Sequence, residues 1–225
     1  MTIPLKTTSL PEAVYEALRE SIVTVELPPG SVLTETAIAE RYGVARPTAK
    51  AAIERLVSEG LLQRSANRAA RVPKLSRGDI EDLYSSRAII EEAALRNLAA
   101  TRAVPAKAIA VQRDLLDYAR ADESAPFVRA DVTFHRELVL GQNSSRLARM
   151  HALIMGEIEL CIGQVQSHRL LNAKEVAAQH QGILDAVQSG DVDLAGRLTR
   201  EHIAGARDKL LAHLLPGHPD DEPEQ

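Results

Sequence analysis

Tryptophan is absent from this chain, and only two phenylalanines and four tyrosines occur among its 225 residues. With so few rings, the 45% apolar content has to come from aliphatic side chains and alanine, which suits helix packed on helix better than sheet. One cysteine, Cys161, excludes an internal disulfide. Its neighbours Ile158, Leu160 and Ile162 make a buried, inert thiol the expectation. No apolar run approaches the roughly 20 residues a membrane helix requires, and the opening stretch MTIPLKTTSLPEAVYEAL carries no apolar signal core. A soluble, cytoplasmic protein with no membrane partner is expected. There is no internal repeat, no H-E-x-x-H sequence, and no strand signal beyond residue 75.

What is present is an uneven distribution of charge. The whole chain carries a formal charge of -4, yet between Arg41 and Arg77 nine Lys/Arg (41, 46, 50, 55, 64, 68, 71, 74, 77) face two Glu (54, 59), a local excess of +7. Residues 1 to 75 together hold ten basic and eight acidic residues, leaving seventeen basic and twenty-three acidic for the remainder. A basic stretch inside an acidic protein points at a polyanion, and it assigns that role to the first third of the chain.

The apolar spacing in the basic stretch explains how it would meet that polyanion. Ala37, Ile38 and Ala39 fit a short helix ending at Arg41-Tyr42; Gly43 supplies a tight turn, and Val44 is read as a plug between helices. A second helix starts near Arg46-Pro47, with proline tolerated in its first turn, and carries Ala49, Ala52, Ile53, Leu56 and Val57 on one face. The opposite face shows Arg46, Thr48, Lys50, Glu54 and Arg55. Polar residues at the start of a recognition helix meet base edges and phosphates, so Arg46, Thr48 and Lys50 are the first candidates for contact with double-stranded DNA. Past Gly60, Leu61 to Arg64, Ser65 to Arg68 and Ala70 to Val72 read as a small hairpin with a basic tip, adding Arg68 and Arg71. A bare helical subdomain with a solvated cationic face is the plainer alternative.

Upstream, residues 1 to 8 read as a loose arm. Ser9 is placed to cap a helix from Leu10 to about Val25 with Val14, Leu18, Ile22 and Val25 inward, and Leu27-Pro28-Pro29-Gly30 turns the chain into a strand at Ser31 to Leu33. From Ser76 the pattern becomes a series of amphipathic helices. Ser76 and Asp79 form a capping-box variant opening a helix to about Ala100, with Ile80, Leu83, Ala88, Ile89, Ala93, Leu95 and Leu98 expected inward. Further helices are expected at about 105 to 121, 124 to 141, 144 to 168, 173 to 189 and 191 to 214. The expected fold is mainly α. Residues 1–75 form a winged helix-turn-helix, residues 76–215 an all-α helical bundle for effector binding and dimerisation, and residues 216–225 an acidic, disordered tail.

Within the helical half, Asp131 and His135 stand i, i+4 on one helix face, and His180 and His202 lie mid-helix rather than at polar ends. Three imidazoles and a carboxylate suit Zn²⁺, Ni²⁺ or a similar divalent ion with positions left open. Spacing alone leaves a second reading open, in which each is a hydrogen-bonded core residue. His151, His168, His213 and His218 fit no ligand set and are read as surface or core-satisfied.

The run LPPGSVLTETAIAERYGVARPTAKAAIERLVSEGLL resembles the winged-helix domain of the GntR family of bacterial transcription regulators. The likeness rests on its PPG turn, its L-x-E-x-x-[IL]-A-E-x-x-G-V-x-R core and its E-G-L-[LI] exit, and it covers about residues 9 to 75. The resemblance implies that Arg46 reads a guanine while Thr48 and Lys50 clamp phosphates. Here the order Ala45-Arg46-Pro47-Thr48-Ala49-Lys50 departs from the family, which often has Ser or Thr before the first Arg and a second Arg at the place of Lys50. Lysine reaches a phosphate without a bidentate fork, so relatives do not fix the operator.

Asp131-Val132-Thr133-Phe134-His135 similarly resembles the D-x-x-F-H signature of the FadR-type (FCD) effector domain, and the segments at His180 and at Glu201-His202-Ile203 match its later histidines. That resemblance, over about residues 76 to 215, implies a metal held by Asp131, His135, His180 and His202 and helping to bind a small carboxylate effector. It implies a facing Arg at Arg87, with Asn143 a polar residue near it. For Arg87 an ion pair with Glu91 or Glu92 is the alternative. Together these lines imply a ligand-responsive regulator, most simply a repressor, that binds a palindromic operator as a homodimer and is not an enzyme. Two rivals are weighed against it. A metal-dependent hydrolase-like enzyme would use an open metal site to activate water, but no general base is evident beside the ligands. A constitutive DNA-binding dimer would lack an effector altogether.

Overall fold

The computed structural model describes residues 9–65, 68–167 and 172–213. The tip of the basic hairpin at residues 66–67, His168, His218 and the acidic tail lie outside the described residues. The chain separates into two compact units, Met1–Lys74 and Leu75–Gln225.

In the first unit, α1 (Leu10–Val23) begins where the Ser9 hydroxyl accepts the Glu12 N–H, with Pro11 in its first turn. It ends two residues earlier than the apolar spacing suggests. Val25 lies beyond it with φ 63°, a left-handed conformation costly for a β-branched side chain, and is only half-buried; Val23 takes the inward place. The cause is the exit. The Leu27 N–H bonds back to the Ser21 carbonyl at 2.8 Å, while the Ser21 hydroxyl and Arg41 both hold Glu26, at 2.8 and 2.7 Å. These bonds fold the chain back before another helical turn can form.

The strand β1 (Val32–Leu33) leads into α2 (Glu35–Tyr42), whose Thr34 cap accepts the Ala37 N–H at 3.1 Å. Gly43 closes α2 at φ 63°, where glycine carries no steric penalty. Val44 follows half-buried rather than fully enclosed. Then α3 (Arg46–Ser58) buries Ala49, Ala52, Ile53 and Leu56 completely, and it packs on both α1 and α2; Val57 sits at the edge of that face. The strand β2 (Ala70–Arg71) pairs antiparallel with β1, Val32 opposite Arg71 and Leu33 opposite Ala70. Arg71 also exchanges backbone bonds with Gln63 at 2.8 and 2.9 Å, so the returning arm of the wing is held on both sides.

In the second unit, α4 (Arg77–Thr101) packs along α9 (Val192–His213) and also meets α6 (Ser124–Leu140), α7 (Ser145–Ser167) and α8 (Ala173–Ser189). α5 (Ala106–Ala121) closes the bundle against α6 and α8. Leu95, Leu98, Leu115, Phe127, Phe134 and Val187 form its apolar centre. The capping box is complete: the Ser76 hydroxyl accepts the Asp79 N–H at 3.2 Å, and the Asp79 carboxylate accepts the Ser76 N–H at 2.9 Å. The Ser76 hydroxyl also donates to the Asp79 carboxylate at 2.7 Å, and that bond with the one from the Ser76 N–H holds the Asp79 carboxyl below its usual range. Ser76→Ala is therefore expected to destabilise this unit by about 1 kcal/mol, read as a lower urea midpoint with unchanged slope.

The phase of α4 differs from the expected one. Ile89 is 69% exposed and Ala93 is exposed, with Ala88 only half-buried, while Tyr84, Arg87, Glu91 and Ala94 point inward. A count of apolar residues turns the helix the wrong way here because an i, i+4 ion pair occupies the middle of the buried stripe.

Candidate functional site

The buried stripe of α4 leads to the chemistry of the helical unit. Glu91 accepts from Arg87 Nε at 2.7 Å through Oε1 and meets His135 Nδ1 at 2.6 Å through Oε2. His151 Nε2 lies 3.0 Å from the same Oε1. Arg87, Glu91, His135 and His151 are all essentially inaccessible to water. Burial alone would raise the Glu91 pKa, but Arg87 and His135 outweigh it and hold the carboxyl well below the usual range.

Asp131 and His135 project from α6, His180 from α8 and His202 from α9, and they converge. The nitrogens of His135, His180 and His202 that can act as ligands lie within 4.8 Å of one another. His180 Nε2 is 3.2 Å from His202 Nε2 and 3.5 Å from Asp131 Oδ1. Phe134 stacks on His180, ring centroids 4.1 Å apart, and fixes the plane of that imidazole. The hydrogen bonds decide which nitrogens are free. With Nδ1–H of His135 donated to Glu91 and Nδ1–H of His202 donated to Gln179 Oε1 at 2.9 Å, both rings turn Nε2 toward the cluster. His135 Nε2 is buried without a hydrogen-bond partner among the described residues. Burial, the neighbouring imidazoles and Arg87 push the pKa values of His180 and His202 well below the ordinary range, so both stay neutral, as a metal ligand must be.

These residues fit a divalent ion. Bonds of about 2.0–2.1 Å at tetrahedral angles put adjacent ligand atoms about 3.3 Å apart, close to the separation seen between His180 and His202.

Arg87, expected either at an effector or in an ion pair, makes the ion pair with Glu91 and keeps a second function open. Its Nη2 is buried with no hydrogen-bond partner among the described residues, as is the hydroxyl of Tyr84 one turn earlier on α4. Glu92, the other anticipated partner, instead pairs on the surface with Arg96 and Arg200. Asn143 lies exposed in the α6–α7 turn at φ 52°, a conformation asparagine tolerates, whereas Arg87 is enclosed. Cys161 is buried and its thiol is pushed up to about 12, chiefly by burial, which keeps it protonated and inert. Sequence reasoning passed over Glu91 as a member of the cluster, along with Gln179 and Tyr84, while His151, read as surface or core-satisfied, is buried and bonded to Glu91. The spacing Arg87–Glu91 is the one local signal that pointed to any of them.

In the first unit, α3 presents Arg46 and Lys50 to solvent, with Thr48 half-buried between them. Among the described residues Arg46 has a 3.9 Å ion contact with Glu35, and Lys50 a 3.6 Å contact with Glu54. Ala45 caps α3 without a side-chain bond, Pro47 brings no N–H, and the Thr48 N–H donates to the Ala45 carbonyl at 2.9 Å. Arg68 and Arg71 are exposed on the wing.

The FCD domain model matches residues 82–205, more than half of the chain, and the model of bacterial regulatory proteins of the gntR family matches residues 10–72. The chain belongs to the GntR family. Its similarity to other GntR-type regulators extends over most of its length. An HTH-type transcriptional regulator in an unstable DNA locus of Streptomyces ambofaciens is 27% identical over 88% of this chain and 83% of its own. A probable D-xylose utilization operon transcriptional repressor of Paenarthrobacter nicotinovorans is 25% identical over 89% and 88%. The fold is shared with a GntR regulator from Rhodococcus sp. RHA1 at TM-score 0.75, 23% identity and coverage of 91% and 99%. E. coli McbR/YncC gives TM-score 0.75 at 18% identity, covering 93% and 100%. This GntR/FCD chain is thus a DNA-binding transcription regulator, in a family of regulators rather than enzymes. Among the described residues, no helix is long and apolar enough to cross a membrane.

Proposed function

We propose that this GntR/FCD chain is a cytoplasmic, ligand-responsive repressor that binds a palindromic operator as a homodimer. In this reading residues 1–75 read DNA through Arg46, Thr48, Lys50, Arg68 and Arg71, and residues 76–215 bind the effector and dimerise. His135, His180 and His202, with Asp131, hold a divalent ion such as Zn²⁺ or Ni²⁺. The observation that carries the metal assignment is the convergence of the imidazole nitrogens of His135, His180 and His202 inside the buried centre of the bundle. When bound, the ion supplies positive charge and open coordination positions to a small carboxylate. Arg87 offers its unpaired Nη2 to the same ligand, and Asn143 is retained as a more peripheral contact. The naming of two relatives as repressors, one for D-xylose utilization and NanR of Citrobacter rodentium, supports repression as the mode of control.

Dimerisation is supported by apolar side chains left open on two helices that pack together: Ile89 on α4, and Met150 and Leu153 on α7, each more than half exposed. Leu153→Arg is expected to shift the protein from dimer to monomer in analytical ultracentrifugation without lowering its helix content. A dimer unaffected by that change, and by Ile89→Arg, would place the interface elsewhere.

The metal assignment predicts that His180→Ala combined with His202→Ala reduces bound ion from one per chain to none by elemental analysis after equilibration with Zn²⁺. Full retention would refute it. The regulatory reading is tested by selecting fragmented genomic DNA with the purified protein at moderate salt and sequencing what is retained. An inverted repeat upstream of metabolic genes is the expected result, and recovery without any shared sequence would overturn it.

A further inference from the structure

One carboxylate stands where three helices of the bundle meet. Glu91 of α4 receives Arg87 from its own helix, His135 from α6 and His151 from α7, at 2.7, 2.6 and 3.0 Å. Its side chain is 1% exposed. The bond to His135 is the shortest of the three and falls on Nδ1, the nitrogen that does not face the cluster. The other two bonds share Oε1, so Oε2 is left to His135 alone.

We infer that Glu91 is a positioning residue of the metal centre, fixing the tautomer and the ring direction of His135 and raising the electron-donating power of its Nε2. This inference rests on the metal assignment above and extends it to a residue that is not itself a ligand. The physical basis is general. A carboxylate accepting the far N–H of a liganding imidazole forbids rotation of the ring, forbids the wrong tautomer, and places negative charge one ring away from the cation; loss of such a partner typically weakens metal binding about 10- to 100-fold. His135 needs this support more than its neighbours do. Phe134 stacks on His180, and Gln179 holds His202 with a neutral amide oxygen. Only His135 is backed by a charge.

Arg87 and His151 then have a shared task, which is to hold Glu91. A buried carboxylate with a single imidazole partner would be free to turn away from it, and two further donors on Oε1 lock its plane. His151, which fits no ligand set in the sequence, acquires a role through Glu91 rather than through the ion.

The test is Co²⁺ binding to the full-length protein, followed by competition with a chelator and by the visible absorption of the bound ion, which reports ligand geometry. Glu91→Gln keeps an acceptor but loses the charge, and is expected to weaken Co²⁺ binding about 10- to 100-fold and to alter the absorption band. Because that change strands Arg87 in the interior, the charge-balanced double variant Arg87→Met/Glu91→Gln is measured beside it, with far-UV circular dichroism confirming the bundle. The double variant is expected to show the same loss of affinity. Wild-type affinity and spectrum in the double variant would overturn the inference, because the stranded arginine would then account for the single variant. If the wild-type protein itself takes up no Co²⁺, the metal centre falls, and the positioning role falls with it.

Discussion

Replacing Arg87 with methionine is expected to destabilise the metal-free helical unit by about 3–5 kcal/mol, the usual consequence of removing one member of a buried ion pair. The side chains of Arg87 and Glu91 are each 1% exposed, so water offers neither charge an alternative. Methionine fills similar space, and the loss therefore reports charge rather than a cavity. Without Arg87, Glu91 keeps only two imidazole partners, and it sits near a second buried carboxyl, Asp131, whose pKa burial already raises. Unfolding in urea with a chelator present, followed by far-UV circular dichroism, measures the effect. For a protein of this size it corresponds to roughly 6–20 °C in melting temperature. A loss below about 1 kcal/mol would mean that the pair is hydrated and the interior site open. The Arg87→Met/Glu91→Gln combination is expected to recover most of the loss, since both buried charges are then gone. That non-additivity separates the ion pair from the packing of either side chain.

What the sequence discloses and what it hides follow from how local each cause is. The winged unit is legible because its signals are short-range: Ser9 and Thr34 as caps, Gly43 at a left-handed position, Pro47 in a first turn, and one apolar stripe on α3. Val25 is misplaced because the bonds that stop α1 involve Leu27, Glu26 and Arg41, the last of them well outside any helical window. On α4 the same limit shows differently. Arg87 and Glu91 look like a solvated i, i+4 pair, and only α6 and α7 packed over them turn that face inward, leaving Ile89 to the surface. The candidate ligands rest on two signs together, the mid-helix histidines and the resemblance of Asp131 to His135 to the FCD signature, because spacing alone leaves a core reading open. Histidine placed mid-helix on an apolar face is unusual enough to be noticed, and Asp131–His135 share a turn. Their supports are ordinary polar residues whose place depends on tertiary packing. Glu91 comes 44 residues before His135, and His151 comes 60 residues after Glu91, so no local window relates them.

The DNA-reading unit carries the second large effect. Arg46→Ala is expected to weaken binding to the selected operator by about 1–3 kcal/mol for each half-site. In a dimer engaging both halves that is about 2–6 kcal/mol, roughly 30-fold to 20,000-fold in affinity. The structure makes this a clean substitution. Arg46 is the first residue of α3, its side chain is 69% exposed, and its one ion contact among the described residues, to Glu35, is 3.9 Å long. Neither the α3 core of Ala49, Ala52, Ile53 and Leu56 nor the packing on α1 depends on it. The loss should be specific to sequence. Binding to unrelated duplexes rests on phosphate attraction from Lys50, Arg68 and Arg71, and most of it should survive. Lys50→Ala should behave oppositely. It weakens operator and unrelated DNA alike, and it lowers the dependence of log K on log salt by about 0.9 for each phosphate that is no longer neutralised. Fluorescence anisotropy with both duplexes over a salt series distinguishes the two. If Arg46→Ala lowers affinity equally for both, Arg46 meets the DNA backbone rather than a base. If operator affinity does not change at all, α3 does not enter the groove by its first turn.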